Sequence, residues 1–196
     1  MTAKRGRPRN PDTQQSIITA SYELLLEEGF ASVTVEKIAE RAGVSKATIY
    51  KWWPGKAAVV MDGFLAASTE RLPVPDTGSV REDIRIHATN LARFLTSREG
   101  RVIKELIGEG QFDPKVAEAY RARYFQPRRL EAKQMLERGI RRGELKKELD
   151  TELCIDLMYG PIFYQLLVLS DTLEETYVEN IVRSAFAGIA PDEQAE

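Results

Sequence analysis

Residues 34–56 read Thr-Val-Glu-Lys-Ile-Ala-Glu-Arg-Ala-Gly-Val-Ser-Lys-Ala-Thr-Ile-Tyr-Lys-Trp-Trp-Pro-Gly-Lys and leave the backbone little choice. Thr34 suits a helix N-cap, because its hydroxyl accepts from a backbone N–H that the first turn leaves orphaned. Glu36 follows in the first turn, where negative charge complements the helix dipole. Val35, Ile38, Ala39 and Ala42 recur at helical spacing, an apolar stripe on a helix of about two turns. Gly43 stands where the chain must turn, and glycine tolerates the left-handed conformation that ends helices. Ser45 is a second N-cap, and behind it Ile49 points inward against the small Ala39. That leaves Lys46, Thr48, Tyr50 and Lys51 on the exposed side or its rim. Pro54 then ends the helix and can start another. Two short helices about a glycine turn make a helix-turn-helix, whose second helix reads base edges while the first crosses the backbone. An ordinary surface hairpin shares the spacing, so the charge context has to separate the two.

The net charge is −2, which argues against a protein that coats nucleic acid generally. Its distribution is polar. Residues 1–60 carry nine cations against six acids, or +3, and the remainder carries 19 against 24, or −5. A basic end joined to an acidic body fits a site-specific DNA binder. Cys154 is the only cysteine, so no intramolecular disulfide forms and a reducing cytoplasm is the expected compartment. The basic amino terminus has no apolar run behind it, so it does not read as a secretion signal. The longest apolar stretch, residues 153–169, is interrupted by Asp156, Gly160-Pro161 and Gln165, and no membrane span is expected.

The run from Thr34 to Lys56, continued by Ala57-Ala58-Val59-Val60, resembles the DNA-binding domain of TetR-type transcriptional regulators. The preceding segment is similar too, with Ile17 to Glu28 as a first helix and then Gly29-Phe30-Ala31-Ser32-Val33-Thr34. The likeness covers about the first third of the chain, including the distinctive Tyr50 to Lys56 segment. It implies that Ser45, Lys46, Thr48, Tyr50 and Lys51 face DNA, and that Thr34 and Lys56 bind phosphates. Residues 1–10 are too charged to pack and form an expected flexible basic arm. Ahead of a helix-turn-helix, Arg5 and Arg7 can enter an adjacent A·T-rich minor groove. The Arg-Gly-Arg-Pro core also resembles an AT-hook.

The expected organisation is all-α, with about nine helices. The arm (1–10) precedes a three-helix DNA-binding domain with its connecting helix (11–70) and a helical regulatory and dimerisation domain (71–196). The connecting helix runs from Pro54 towards Ser68, before a linker marked by Pro73, Pro75 and Gly78. In the body, Ile84, His87, Leu91, Phe94 and Leu95 share one helix face. Asp113 caps a later helix that Pro127 should kink or divide and that Gly143 stops. No run alternates with period two, so no sheet is expected.

The segment 153–169 is apolar almost all round and needs cover on more than one side. In the last helix Val178, Ile181, Val182, Ala185, Phe186 and Ile189 form a second apolar face. Either these helices are buried within one body, or they meet their copies in a two-fold four-helix bundle. The second reading makes Pro161, Tyr164, Val168, Val178, Val182 and Phe186 the dimer interface, and the family resemblance implies it as well. A dimer presents two readers to a palindromic double-stranded operator.

His87 is the only histidine, and with one cysteine it does not make a typical metal site. No phosphate loop or nucleophile elbow is present, so no catalytic residue, metal or cofactor is expected and the chain does not read as an enzyme. Aromatic residues at helical spacing are more often core than cage. The resemblance nevertheless implies a small-molecule effector between the body helices. His87, Phe94, Tyr120, Tyr124, Met158, Tyr159 and Phe163 are the candidates to line its pocket. The expected function is a homodimeric repressor released by that effector. The alternatives are a ligand-independent activator or architectural DNA binder, or an enzyme or small-molecule binder on the same fold.

Overall fold

The structure, a computed structural model, describes residues 11–69, 71–169 and 172–189. Arg5 and Arg7 lie outside the described residues. Among the described residues every regular element is helical. The elements are α1 (Pro11–Glu28), α2 (Val35–Arg41), α3 (Lys46–Tyr50), α4 (Lys56–Thr69), α5 (Val80–Thr96), α6 (Arg98–Gly110), α7 (Pro114–Tyr120), α8 (Gln126–Arg142), α9 (Thr151–Tyr164) and α10 (Glu175–Ile189). A π-helical turn, Arg121–Phe125, joins α7 to α8, and a second, Gln165–Leu169, extends α9. The ten segments therefore lie on nine continuous rods among the described residues, the all-α architecture that the apolar periodicity predicts.

The first π turn is the answer to Pro127. Proline has no N–H to give the carbonyl four residues back, here Arg123, and its ring presses on that carbonyl. Widening one turn absorbs the mismatch without ending the rod.

The chain packs into two compact units. The first holds the described residues up to Ala67 together with Glu105–Arg123, and the second holds Ser68–Lys104 with the described residues from Tyr124 onwards. Sequence reading places the boundary between the two folded domains near residue 70, whereas this first unit also takes in the end of α6 and all of α7. One reason is visible in Glu105, whose carboxylate accepts the Phe30 N–H at 3.2 Å and so braces the connection between α1 and α2.

The core of the first unit comprises Ile17, Leu24 and Leu25 of α1, Phe30, Val33, Ile38, Ile49 and Trp53, with Val59, Val60 and Phe64 of α4. Each large aliphatic side chain removed from water contributes about 1.5–3 kcal/mol. Helices α1 and α4 cross closely at Gly63, where a Cβ would stand 2.5 Å from Ser21 Oγ and 2.8 Å from the Ile18 carbonyl. Only glycine fits there without a shift.

In the second unit α5 packs on α10 and α8 on α9. Its core includes Ile84, Leu95, Met135, Leu136, Met158, Ile162, Val178 and Val182. Asp83 is fully buried near the start of α5, where it accepts the Thr77 N–H and hydroxyl, both at 2.7 Å. Burial pushes its carboxyl up, and the Thr77 and Arg138 interactions more than reverse this, leaving it below its ordinary value.

This packing corrects half of the expected dimer interface. Val178, Val182 and Phe186 are buried inside the protomer, because that face of α10 is spent on α5. They are core residues. Tyr164 and Val168 are exposed and Pro161 is half-buried, so these three remain on the surface.

Candidate nucleic-acid interface

The helix-turn-helix is built by its caps. Thr34 Oγ1 accepts the Lys37 N–H at 3.2 Å, and Ser45 Oγ accepts the Thr48 N–H at the same distance. Between them Gly43 adopts φ 66°. The Gly43 N–H donates to the Glu40 carbonyl (3.2 Å) and the Val44 N–H to the Ala39 carbonyl (2.9 Å), the double closure of a Schellman turn. Both backbone ends are thereby satisfied within a turn of four residues.

Helix α3 holds only five residues, too few to stand by its own hydrogen bonds. Ile49 is fully buried beneath it, and Ile38 and Ala39 of α2 are buried as well. With that side sealed, Ser45, Lys46, Tyr50 and Lys51 are exposed and Thr48 is half-buried. The structure therefore brings all five onto one helix and its rim. Ser45 and Thr48 share a further hydrogen bond between their hydroxyls, at 2.9 Å.

The cations behave differently from one another. Lys46 Nζ donates to Glu36 Oε1 at 2.9 Å, and this hydrogen bond raises the amine above its ordinary value while lowering the carboxyl. Lys56 turns inward. Its Nζ donates to the Phe30 carbonyl at 2.9 Å and lies 4.2 Å above the Phe30 ring. Partial burial lowers its amine, against the opposing fields of Glu109 and Asp113. Thr34 is exposed, with its hydroxyl occupied as a cap.

Sequence reading missed the side-chain partnerships by which three residues hold this surface. Glu36 aims Lys46, Asp62 accepts the Trp53 indole N–H at 2.6 Å, and Arg123 grips Asp62 at 2.7 and 2.8 Å. Asp62 did carry a signal, as a lone acid inside the apolar run Val59-Val60-Met61-Asp62-Gly63-Phe64. Arg123 carried none.

The residues expected to line an effector pocket divide between the units. Tyr120 belongs to the first unit. In the second, His87, Phe94, Tyr124, Met158 and Tyr159 are buried and Phe163 is half-buried. His87 Nδ1 and the Tyr159 hydroxyl lie 2.7 Å apart, with their rings edge to face at 84°. Burial pulls His87 down to about 4, with the Arg128 charge adding to the effect.

Comparison with known proteins agrees with this geometry at both ends of the chain. Residues 17–61 match the family profile described as bacterial regulatory proteins, tetR family. Residues 74–185 match the tetracyclin repressor-like C-terminal domain. The HTH-type transcriptional regulator YdeS of Bacillus subtilis is 65% identical over 189 residues, spanning 96% of each chain. AqdR of Rhodococcus erythropolis, another HTH-type regulator, is 26% identical over 81% of this chain and 76% of its own. The crystal structure of the TetR family transcription regulator SCO0332 superposes with a TM-score of 0.82 at 34% identity, covering 92% of this chain and all of that one. The chain belongs to the TetR family of DNA-binding transcriptional regulators.

Proposed function

We propose that the chain is a homodimeric repressor that binds a palindromic DNA operator through α3 and its rim. The observation that carries this reading is the row Ser45, Lys46, Tyr50 and Lys51, exposed above a fully buried Ile49. Side chains near the start of α3 suit base edges, and Tyr50 and Lys51 at its end suit phosphates. Regulators of this family bind DNA and generally act as dimers.

The dimer is supported by apolar surface in the second unit. The helical rod Thr151–Leu169 is strongly apolar, yet only about a third of its most apolar stretch is buried within the protomer. Leu153, Leu157, Tyr164 and Val168 are exposed along it. Beside them Leu157 and Pro161 share a groove with Ile181, Ser184, Ala185 and Gly188 of α10. A second copy covers such a face, and the small residues on α10 allow close helix crossing. Release by a small-molecule effector in the helical body completes the reading, with the buried ring cluster around His87 and Tyr159 as the candidate contact.

Selection from a random-sequence duplex pool tests the DNA assignment. The wild-type protein should recover a two-fold symmetric consensus. Tyr50→Ala combined with Lys51→Ala should weaken binding to it by at least about tenfold. Recovery of no consensus, or full binding by the double variant, would sink the reading.

A further inference from the structure

The end of the reader helix is held from outside. The N–H groups of Trp52 and Trp53 both donate to the Ile49 carbonyl, at 2.9 and 3.0 Å, so the placement of Trp53 fixes the last turn of α3. The Trp53 side chain is buried, and its Nε1–H donates to Asp62 Oδ2 at 2.6 Å. Asp62 in turn accepts Arg123 Nη1 on both oxygens, at 2.8 and 2.7 Å. All three residues belong to the first unit. Arg123 lies at the centre of the π turn Arg121–Phe125.

We propose that Arg123 is a positioning residue for DNA reading, acting through Asp62 and Trp53 on the end of α3. The inference rests on the DNA assignment above. The guanidinium fixes the carboxylate plane, so that Oδ2 faces the indole N–H. A charge-assisted bond of this kind is stronger than a neutral one, and an exposed five-residue helix has little else to set its tilt.

The π turn makes the grip conditional. Losing or gaining one residue of register turns a helical side chain by about 100°, which carries Arg123 away from Asp62. The next residue, Tyr124, is buried in the second unit, where burial pushes its phenol up to about 12 against the opposing charge of Arg128. Adjacent residues of one widened turn thus belong one to each unit.

The test uses the full chain and the duplex that the wild type selects from the random pool. Arg123→Gln should bind it about tenfold more weakly. The slope of log affinity against log salt should not change, because Arg123 neutralises no phosphate. Amide exchange across residues 46–53 should quicken, and Trp53 emission, read in a Trp52→Phe background, should shift. Trp53→Phe, which keeps a ring and loses the donor, should reproduce the affinity loss. If Arg123→Gln does not fold, Arg123→Lys keeps the charge without the fork and should give an intermediate loss.

Wild-type affinity and exchange in the foldable Arg123 variant would overturn the proposal. A salt slope reduced by about one unit would do so too, by making Arg123 a direct phosphate contact. So would normal binding by Trp53→Phe. If the wild type selects no duplex, the DNA assignment fails by itself, while exchange and emission still decide the Arg123–Asp62–Trp53 linkage.

Discussion

A histidine only 6% exposed and hydrogen-bonded to a buried tyrosine stays neutral until the pH falls well below its ordinary range. His87 titrates near 6.5 when unfolded and at about 4 when folded, so between these values the unfolded chain binds the extra proton. Stability is therefore complete above 6.5 and declines as pH falls towards 4, by roughly 3 kcal/mol from this group. Urea titrations at pH 7 and 4.5 should show the decline, and His87→Gln should flatten part of it. Gly63→Ala tests the other close contact. The added methyl has to displace Ser21 or the Ile18 carbonyl, and a loss of about 1–3 kcal/mol is expected from the urea midpoint. At this scale residue type was legible and direction was not. Lys56 reads as a cation near a helix start, yet its ammonium faces the Phe30 carbonyl. Asp62 stands out in its apolar run, but its partner lies 61 residues away and nothing local points to it.

Helix α10 shows how an element can be found with its phase misread. Periodicity located one broad apolar face at Val178, Ile181, Val182, Ala185, Phe186 and Ile189, of which Val178, Val182, Phe186 and Ile189 are buried and Ile181 and Ala185 half-buried. Its buried part, with Val178, Val182 and Phe186, packs on α5, because the nearest apolar surface belongs to the same protomer. Its edge, Ile181 and Ala185, lines a groove together with the small Ser184 and Gly188. Two substitutions one residue apart should therefore behave differently. Val182→Asp buries an unpaired charge and should unfold the second unit, seen as loss of the cooperative melting transition. Ile181→Asp with Ala185→Asp should leave the helical circular dichroism intact and yield monomers in sedimentation velocity. A folded Val182→Asp variant, or an intact dimer in the double variant, would reverse the assignment of the two faces. The π turns were not legible either. Pro127 announced a disturbance in its rod, but periodicity alone could not distinguish a kink, a break and a widened turn.

For the whole molecule, the question is what pairing adds to a reader of five residues. One α3 offers few base-facing side chains, and each bidentate base contact contributes only about 1–3 kcal/mol of discrimination. On the proposed pairing through α9 and α10, the second half-site encounter becomes intramolecular, at an effective concentration that can raise avidity by about 10²–10⁴. The wild type should then bind the palindromic duplex at least about a hundredfold more tightly than a duplex bearing one half-site and a scrambled second half. Ile181→Asp with Ala185→Asp should retain the half-site affinity and lose the palindrome advantage. Fluorescence anisotropy with both duplexes reads the two quantities on the same protein. Equal affinities for the two duplexes in the wild type would mean that one protomer does all the reading. A palindrome advantage that survives in the double variant would place the pairing surface somewhere other than the α9–α10 face. The outcome expected from the exposed Leu157, Tyr164 and Val168 is that the advantage disappears with the dimer.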